Sequence, residues 1–158
     1  METQNLSYLK ESQEICTITK GTVDDFEDIY NLLCELWLNY NLNKNDFMKM
    51  FLEDLETGKY FLLAKINNDV VGLISMSIRN GYEYGGKTGT IMEFIINKDF
   101  QGKGIGKQLM NSIQELAKEQ SCKVVELICA KHRTQAHSVY NKNGFENTAL
   151  YFNKEMIF

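Results

Sequence analysis

The chain has no proline, only two histidines and one tryptophan, and its four cysteines form no C-x-x-C pair. Each scarcity closes a class of function. His132 and His137 are not spaced with cysteines as zinc ligands are, and Cys16, Cys34, Cys122 and Cys129 outline no disulfide framework. Small apolar thiols in strands and a helix are the plain reading, and no metal is expected. No apolar run approaches the roughly 18 residues that span a bilayer, and Met1–Lys10 lacks a basic then apolar leader pattern. A cytoplasmic location, without membrane partners, is the expectation. Positive charge is also short: the net charge is -4, which argues against the broad phosphate contact that supports nucleic-acid binding.

What is present is ordinary for a folded chain. The 158 residues, 44% hydrophobic and 24% charged, suit a single domain over residues 1–158 with no linker, repeat or low-complexity tract. Met1–Gln13 is polar and aperiodic, a loosely ordered lead-in. Glu14–Lys20 alternates as a strand. Thr22 with Asp25 three residues later starts a helix, whose stripe of Phe26, Ile29, Leu33, Leu36, Trp37 and Tyr40 marks its buried face. A second helix spans about Asn45–Glu56 and stops at Gly58. Between Asp24 and Glu56 there are nine acidic residues against two lysines, either a solvated face or a field that attracts cations.

Tyr60–Ile66 and Val70–Arg79 read as strands of a hairpin around Asn67-Asn68-Asp69. Asn80–Thr88 follows as a glycine-rich loop, the mobile rim of a pocket. Then comes the stretch that carries chemistry. Gly89–Asn97 is a nearly continuous apolar run of Ile91, Met92, Phe94, Ile95 and Ile96 interrupted by Glu93, as in a strand covered on both faces. After the turn Gln101-Gly102-Lys103-Gly104-Ile105-Gly106, apolar residues recur at helical spacing as far as Gln120. Lys123–Ala130 is a further strand, Thr134–Asn143 a short helix and Thr148–Met156 a last strand.

Glycines between a buried strand and a helix leave the first helical N–H groups open to phosphate oxygens. Spacing decides which phosphate. A dinucleotide turn would need its third glycine at Lys107, and a nucleotide triphosphate loop would need glycine at Gln101 and a hydroxyl at Gln108. Both fail. What remains, Q-x-x-G-x-G over Gln101–Gly106, resembles the pyrophosphate motif of the GNAT superfamily of N-acetyltransferases. Downstream, Ala136-x-x-x-Tyr140-x-x-x-Gly144-Phe145 is similar to that family's second motif, and the order of elements fits over about four-fifths of the chain.

The resemblance implies an α/β fold: a mixed, mostly antiparallel central sheet flanked by helices, with a parallel pair, Gly89–Asn97 and Lys123–Ala130, splaying apart. It implies acetyl-CoA as cosubstrate, its pyrophosphate on Gln101, Gly102, Lys103, Gly104, Ile105, Gly106 and Lys107. Its pantetheine arm would pair with the backbone of Phe94, Ile95 and Ile96. It also implies transfer to a primary amine by direct attack, with Tyr140 as general acid toward the departing thiolate, against a packing role for the same ring. Glu93 is read either as the base that takes the amine's proton or as a structural hydrogen-bond partner. Arg133 stands where many members carry Asn, and could hold a CoA phosphate.

Two helices and a loop usually frame the acceptor in that family. Here the acidic helices and Tyr82, Glu83 and Tyr84 point to a small cationic or peptide amine. The alternative is a catalytically silent CoA-binding module of the same fold. Assembly as a homodimer stays open.

Overall fold

The computed structural model describes residues 15–38 and 40–156; the expected lead-in Met1–Gln13 lies outside them. Among the described residues five strands form one sheet in chain order: β1 (Cys16–Lys20), β2 (Tyr60–Ile66), β3 (Asp69–Gly81), β4 (Gly86–Ile96) and β5 (Cys122–Leu127). All neighbours are antiparallel except β4 and β5, which run parallel. The fold class is therefore the mixed sheet expected. Four α-helices among the described residues cover it: α1 (Phe26–Leu36), α2 (Lys44–Glu56), α3 (Ile105–Glu119) and α4 (Thr134–Lys142).

Alternation along the strands divides the core in two. On one face Ile105, Leu109, Met110, Ile113 and Ala117 of α3 pack against Ala64, Ile66, Ile74, Met76 and Ile91. On the other, Phe26, Ile29, Leu32 and Leu33 of α1 and Phe51 of α2 pack against Phe61, Leu63 and Leu73. The helical stripes anticipated this except at Tyr40, which was expected on the buried face of the first helix and is exposed beyond its end.

Local signals explain the boundaries. Thr22 and Asp25 form the expected capping box, closing a single turn at Val23–Asp25 before α1. The Asp25 carboxylate accepts from the Thr22 N–H at 2.9 Å and from Lys65 Nζ at 2.6 Å. Asn43 accepts from the N–H groups of Asn45 and Asp46 and so caps α2. That helix stops where Gly58 takes φ +84° and the Lys59 N–H donates to the Asp54 carbonyl at 2.9 Å, a Schellman closure.

Four expectations change. The first helix ends at Leu36, because Trp37 leaves the helical region and Tyr30 Oη donates instead to the Leu42 carbonyl at 2.8 Å. The glycine-rich stretch 80–88 is mostly strand: β3 runs to Gly81 and β4 begins at Gly86, leaving one helical turn at Tyr82–Tyr84. β5 stops at Leu127 rather than Ala130, and residues 145–156 form no strand. Strand periodicity alone does not suffice where no neighbour supplies backbone partners.

Candidate active site

The site is built where the sheet opens. β4 and β5 pair from Lys87 with Cys122 to Ile91 with Leu127, while β4 continues alone on that side to Ile96. This is the expected splay. On β4's other side the ladder to β3 slips by one residue, so Ser75 alone faces Met92 and Glu93. The slip is a β-bulge, a device that re-aims side chains. Before it Ile91 faces α3; after it Phe94 and Ile96 do, while Ile95 faces α1. Glu93 is thereby turned toward α1 and α2, and Met92 is left exposed.

At that position Glu93 is 8% exposed and satisfied. Its N–H donates to Ser75 Oγ at 3.2 Å, and Ser75 Oγ donates back to its carboxylate. Lys59 Nζ lies 3.2 Å from the same carboxylate and 3.0 Å from that of Asp54. The Schellman closure after α2 delivers that lysine. The carboxylate, ammonium, carboxylate row forms one wall of a cavity of about 230 Å³ between the two helices and the sheet, whose other lining includes Leu33, Trp37, Phe47, Met50, Phe51 and Phe61. A pocket of this kind, apolar with a few charged groups, suits a small ligand with an amine end.

Past β4, Gly102 and Gly104 adopt φ +77° and +80°, which side chains disfavour, and a Cβ at either would meet open space. Gly104 is also the N-cap of α3 and offers no side chain to its first N–H groups. Donors and dipole thus face outward at a bare backbone, as an anion site requires. Gln101 Nε2 donates to the Ile96 carbonyl at 3.0 Å, pinning the turn to the end of β4, and Lys103 Nζ rests 4.8 Å from the Phe100 ring centroid. Lys107 is exposed on the first turn of the helix.

On the α3 face of the splay, Tyr140 of α4 packs its ring 6.4 Å from Phe94 and 6.1 Å from Phe145, centroid to centroid. Burial, helped by neighbouring Cys129 and opposed by Arg133, pushes its phenol above the ordinary value. It is therefore a proton donor throughout the neutral range. Burial likewise raises Cys129, so that thiol is no ready nucleophile.

The sequence profile described as "Acetyltransferase (GNAT) family" matches residues 26–145, the span from α1 to the residue after the second motif's glycine. This chain belongs to the GNAT acetyltransferase family. Among its GNAT relatives, the aminoalkylphosphonate N-acetyltransferase of Salmonella typhimurium is 28% identical over 143 residues, 90% of this chain and 92% of that protein. The spermine/spermidine N(1)-acetyltransferase of Bacillus subtilis is 30% identical over 115 residues, covering 69% and 76% respectively. In structure, a transcriptional regulator from Bacillus halodurans shares the fold at TM-score 0.83 and 23% identity, over 90% of this chain and 100% of that one.

GNAT enzymes use acetyl-CoA, and the open amides of the glycine turn and the unpaired edge of β4 at Phe94–Ile96 fit its pyrophosphate and pantetheine groups. No helix among the described residues is long and apolar enough to cross a membrane. Among those residues no cluster of three His, Cys, Asp or Glu side chains could hold a metal ion.

Not every expected residue meets the others. Arg133 donates from its guanidinium to the Leu36 carbonyl at 3.1 Å, which ties the start of α4 to the end of α1. Its engagement there is with protein backbone, not with the glycine turn. Tyr82, Glu83 and Tyr84 sit at the tip of the β3–β4 hairpin, about 25 Å from Glu93 at the rise of an extended strand. Beside that tip lies a wider, open depression of about 480 Å³ lined by Arg79, Asn80, Lys87 and Gln120. Gln120 caps the far end of α3, so this hollow is at the opposite end of the sheet from the glycine turn. Sequence reasoning missed Lys59, Ser75 and Asp54. Only Gly58, as a helix stop, hinted that the next residue would be turned inward.

Proposed function

We propose that this protein transfers the acetyl group of acetyl-CoA to the amine of a small acceptor, by direct attack within a ternary complex. The observation that carries the reading is the division of labour across β4. Glu93 opens on the α1 and α2 side, and Tyr140 stands on the α3 side of the same splayed strand. When bound, acetyl-CoA supplies an activated thioester. The amides from Gly102 to Lys107 hold its pyrophosphate, and the free backbone of Phe94–Ile96 orients its pantetheine arm.

The acceptor enters the cavity between α1 and α2 with its apolar body against Trp37, Phe47 and Phe51. Glu93, an acceptor of hydrogen bonds only, aligns the amine and takes its proton directly or through water. Tyr140 gives its proton to the departing thiolate sulfur, and its raised pKa keeps that proton available. The half-buried thiol of Cys129, its pKa raised by desolvation, argues against an acyl-cysteine route.

A cationic amine fits best, because two carboxylates outnumber one ammonium in the cavity wall. A zwitterionic amine is the second reading. It is favoured by Lys59, which could turn to an acidic group on the acceptor, and by likeness to an aminoalkylphosphonate N-acetyltransferase. Thiol release measured against diamines, aralkylamines and aminoalkylphosphonates at low and high salt separates the two. We expect turnover of cationic amines that falls with ionic strength, and with Glu93→Gln. Acetyl-CoA binding without turnover of any amine would instead make the chain a binding module.

A further inference from the structure

The charges that line the acceptor cavity fix how many charges its occupant can carry. Asp54, Lys59 and Glu93 stand in one wall, and two carboxylates against one ammonium leave that wall a single negative charge in excess. Among the described residues no other cation pairs with either carboxylate. One ammonium on the occupant therefore neutralises the wall. A second would be left over, and an acidic group would restore the surplus, each held against hydrocarbon without a partner.

Hydrocarbon is what remains of the lining. Leu33, Leu42, Phe47, Met50, Phe51 and Phe61 offer no hydrogen-bond donor, and the indole N–H of Trp37 is the one further polar side-chain group among the described residues there. The rings are braced: Phe51 lies edge-on to Phe61 at 5.0 Å and Phe47 to Tyr30 at 5.5 Å, centroid to centroid. A preformed apolar surface of this kind gains by covering hydrocarbon and gives a distant charge nothing to bind. The acidic excess of the two helices does not alter this. Of its nine carboxylates Asp54 alone lines the cavity, Asp25 is engaged by Thr22 and Lys65, and the other seven are exposed.

Resting on the acetyl-transfer reading above, we propose that the acceptor is a primary monoamine with an apolar tail, an alkylamine or aralkylamine, in preference to a polyamine or a zwitterion. Its ammonium completes the Asp54, Lys59 and Glu93 row, and its tail lies on Trp37, Phe47 and Phe51. A space of about 230 Å³ holds roughly eight water-sized groups at about 30 Å³ each, which suits a six-carbon chain or a single ring. In the transfer, nitrogen bonds the acetyl carbon as the carbon–sulfur bond breaks. The ammonium sheds one proton through Glu93 to water and a second that replaces the one Tyr140 gives to sulfur. The amide product carries no charge, so the wall's surplus returns and favours release.

The test pairs acceptors of equal size. Hexylamine and the terminal diamine of pentane differ only in a far methyl or ammonium, and aminopropylphosphonate carries an anion there. The kcat/KM should rise about fourfold per methylene from propylamine to hexylamine. For hexylamine and phenethylamine it should exceed that for the diamine and the phosphonate by roughly tenfold or more. Met50 lines the cavity at a 55% exposed position of α2, so Met50→Glu adds a carboxylate to the apolar wall without disturbing the core. It should raise the diamine's kcat/KM roughly tenfold and lower that of hexylamine. A diamine or phosphonate that outpaces hexylamine, a flat alkyl series, or an order unmoved by Met50→Glu would overturn the proposal and leave acetyl transfer standing. The chain's one tryptophan, Trp37, reads entry into the cavity without turnover. If acetyl-CoA bound and no amine reacted, the transfer reading would fall. Fluorescence saturated by hexylamine and not by the diamine would then still uphold the cavity's preference, and an equal or absent response would sink that too.

Discussion

In the proposed function the two faces of the sheet recognise by different means. On the α3 face, recognition is assigned to backbone: glycines at positive φ, uncapped amides and an unpaired strand edge. On the α1 and α2 face it is assigned to side chains: a row of charges set among aromatic rings. Backbone recognition tolerates sequence change everywhere except at the glycines, which suits a cosubstrate shared by a family. Side-chain recognition can be rewritten residue by residue, which suits an acceptor that differs between relatives such as those acting on aminoalkylphosphonates and on spermine.

The comparison can be broken at Tyr140, whose conversion to Phe should lower kcat about 10²- to 10⁴-fold with little change in acetyl-CoA affinity. Single-turnover kinetics with a fixed amine would check this, and a loss of only a few fold would reassign the ring to packing. Its alkaline limb sharpens the test. A general acid works while protonated, and a phenol raised above its usual value should hold activity until the pH passes about 10. An alkaline fall well below that pH, retained in Tyr140→Phe, would belong to another group.

Next in size is the backbone face. Gly104→Val forces a branched side chain into φ +80° and sets a Cβ where a phosphate would approach. Calorimetry should show acetyl-CoA binding weakened by roughly 10²-fold, equal to about 2.7 kcal/mol, with the protein still folded. The side-chain face should respond more mildly: Lys59→Met leaves Glu93 without its cation while keeping most of the side chain's length. We expect a change in acceptor KM of roughly tenfold or less and an unaltered KM for acetyl-CoA. A matching change in both would mean that the two faces are not separable.

The remaining effect is on stability and leaves the comparison of the two faces untouched. Burial disfavours the Asp25 carboxylate, but hydrogen bonds from Lys65 and from the Thr22 N–H and hydroxyl outweigh it and hold its pKa below the ordinary value. A lowered folded pKa stabilises above the unfolded pKa and loses that contribution as pH falls through the folded one. Asp25→Asn should therefore cost about 1.5–3 kcal/mol at neutral pH. The gap from wild type, followed by denaturant unfolding, should close below about pH 4.

Much of this arrangement can be read from residue order, and the reason is locality. The glycine turn, its helix, the Thr22 and Asp25 capping box and the stripes of α1 and α3 are properties of neighbours a few residues apart. The meeting of Lys59 with Glu93 spans 34 positions and depends on how a helix stop is oriented over a sheet. Glu93 itself is legible as an oddity in an apolar run, but its side of the sheet is not. Counted by simple alternation from Ile91 it would face α3; the bulge opposite Ser75 reverses that. Residues 148–156 show the converse failure, a strand pattern that pairs with no strand among the described residues.

That bulge sets what insertions and deletions would do here. Loss of Met92 would leave one residue opposite Ser75 and a plainly alternating strand, with Phe94 and Ile96 still facing α3. Loss of Ile95, after the bulge, would do more than shorten β4, because Ile96 would turn toward α1 and Gln101 would pull on a turn whose anchor had rotated away. Replacements on the inner surfaces of α1 and α2 carry no such penalty. The acceptor pocket can thus be rewritten by substitution, while a change in the number of residues between the bulge and the glycine turn would move the cosubstrate's backbone groups.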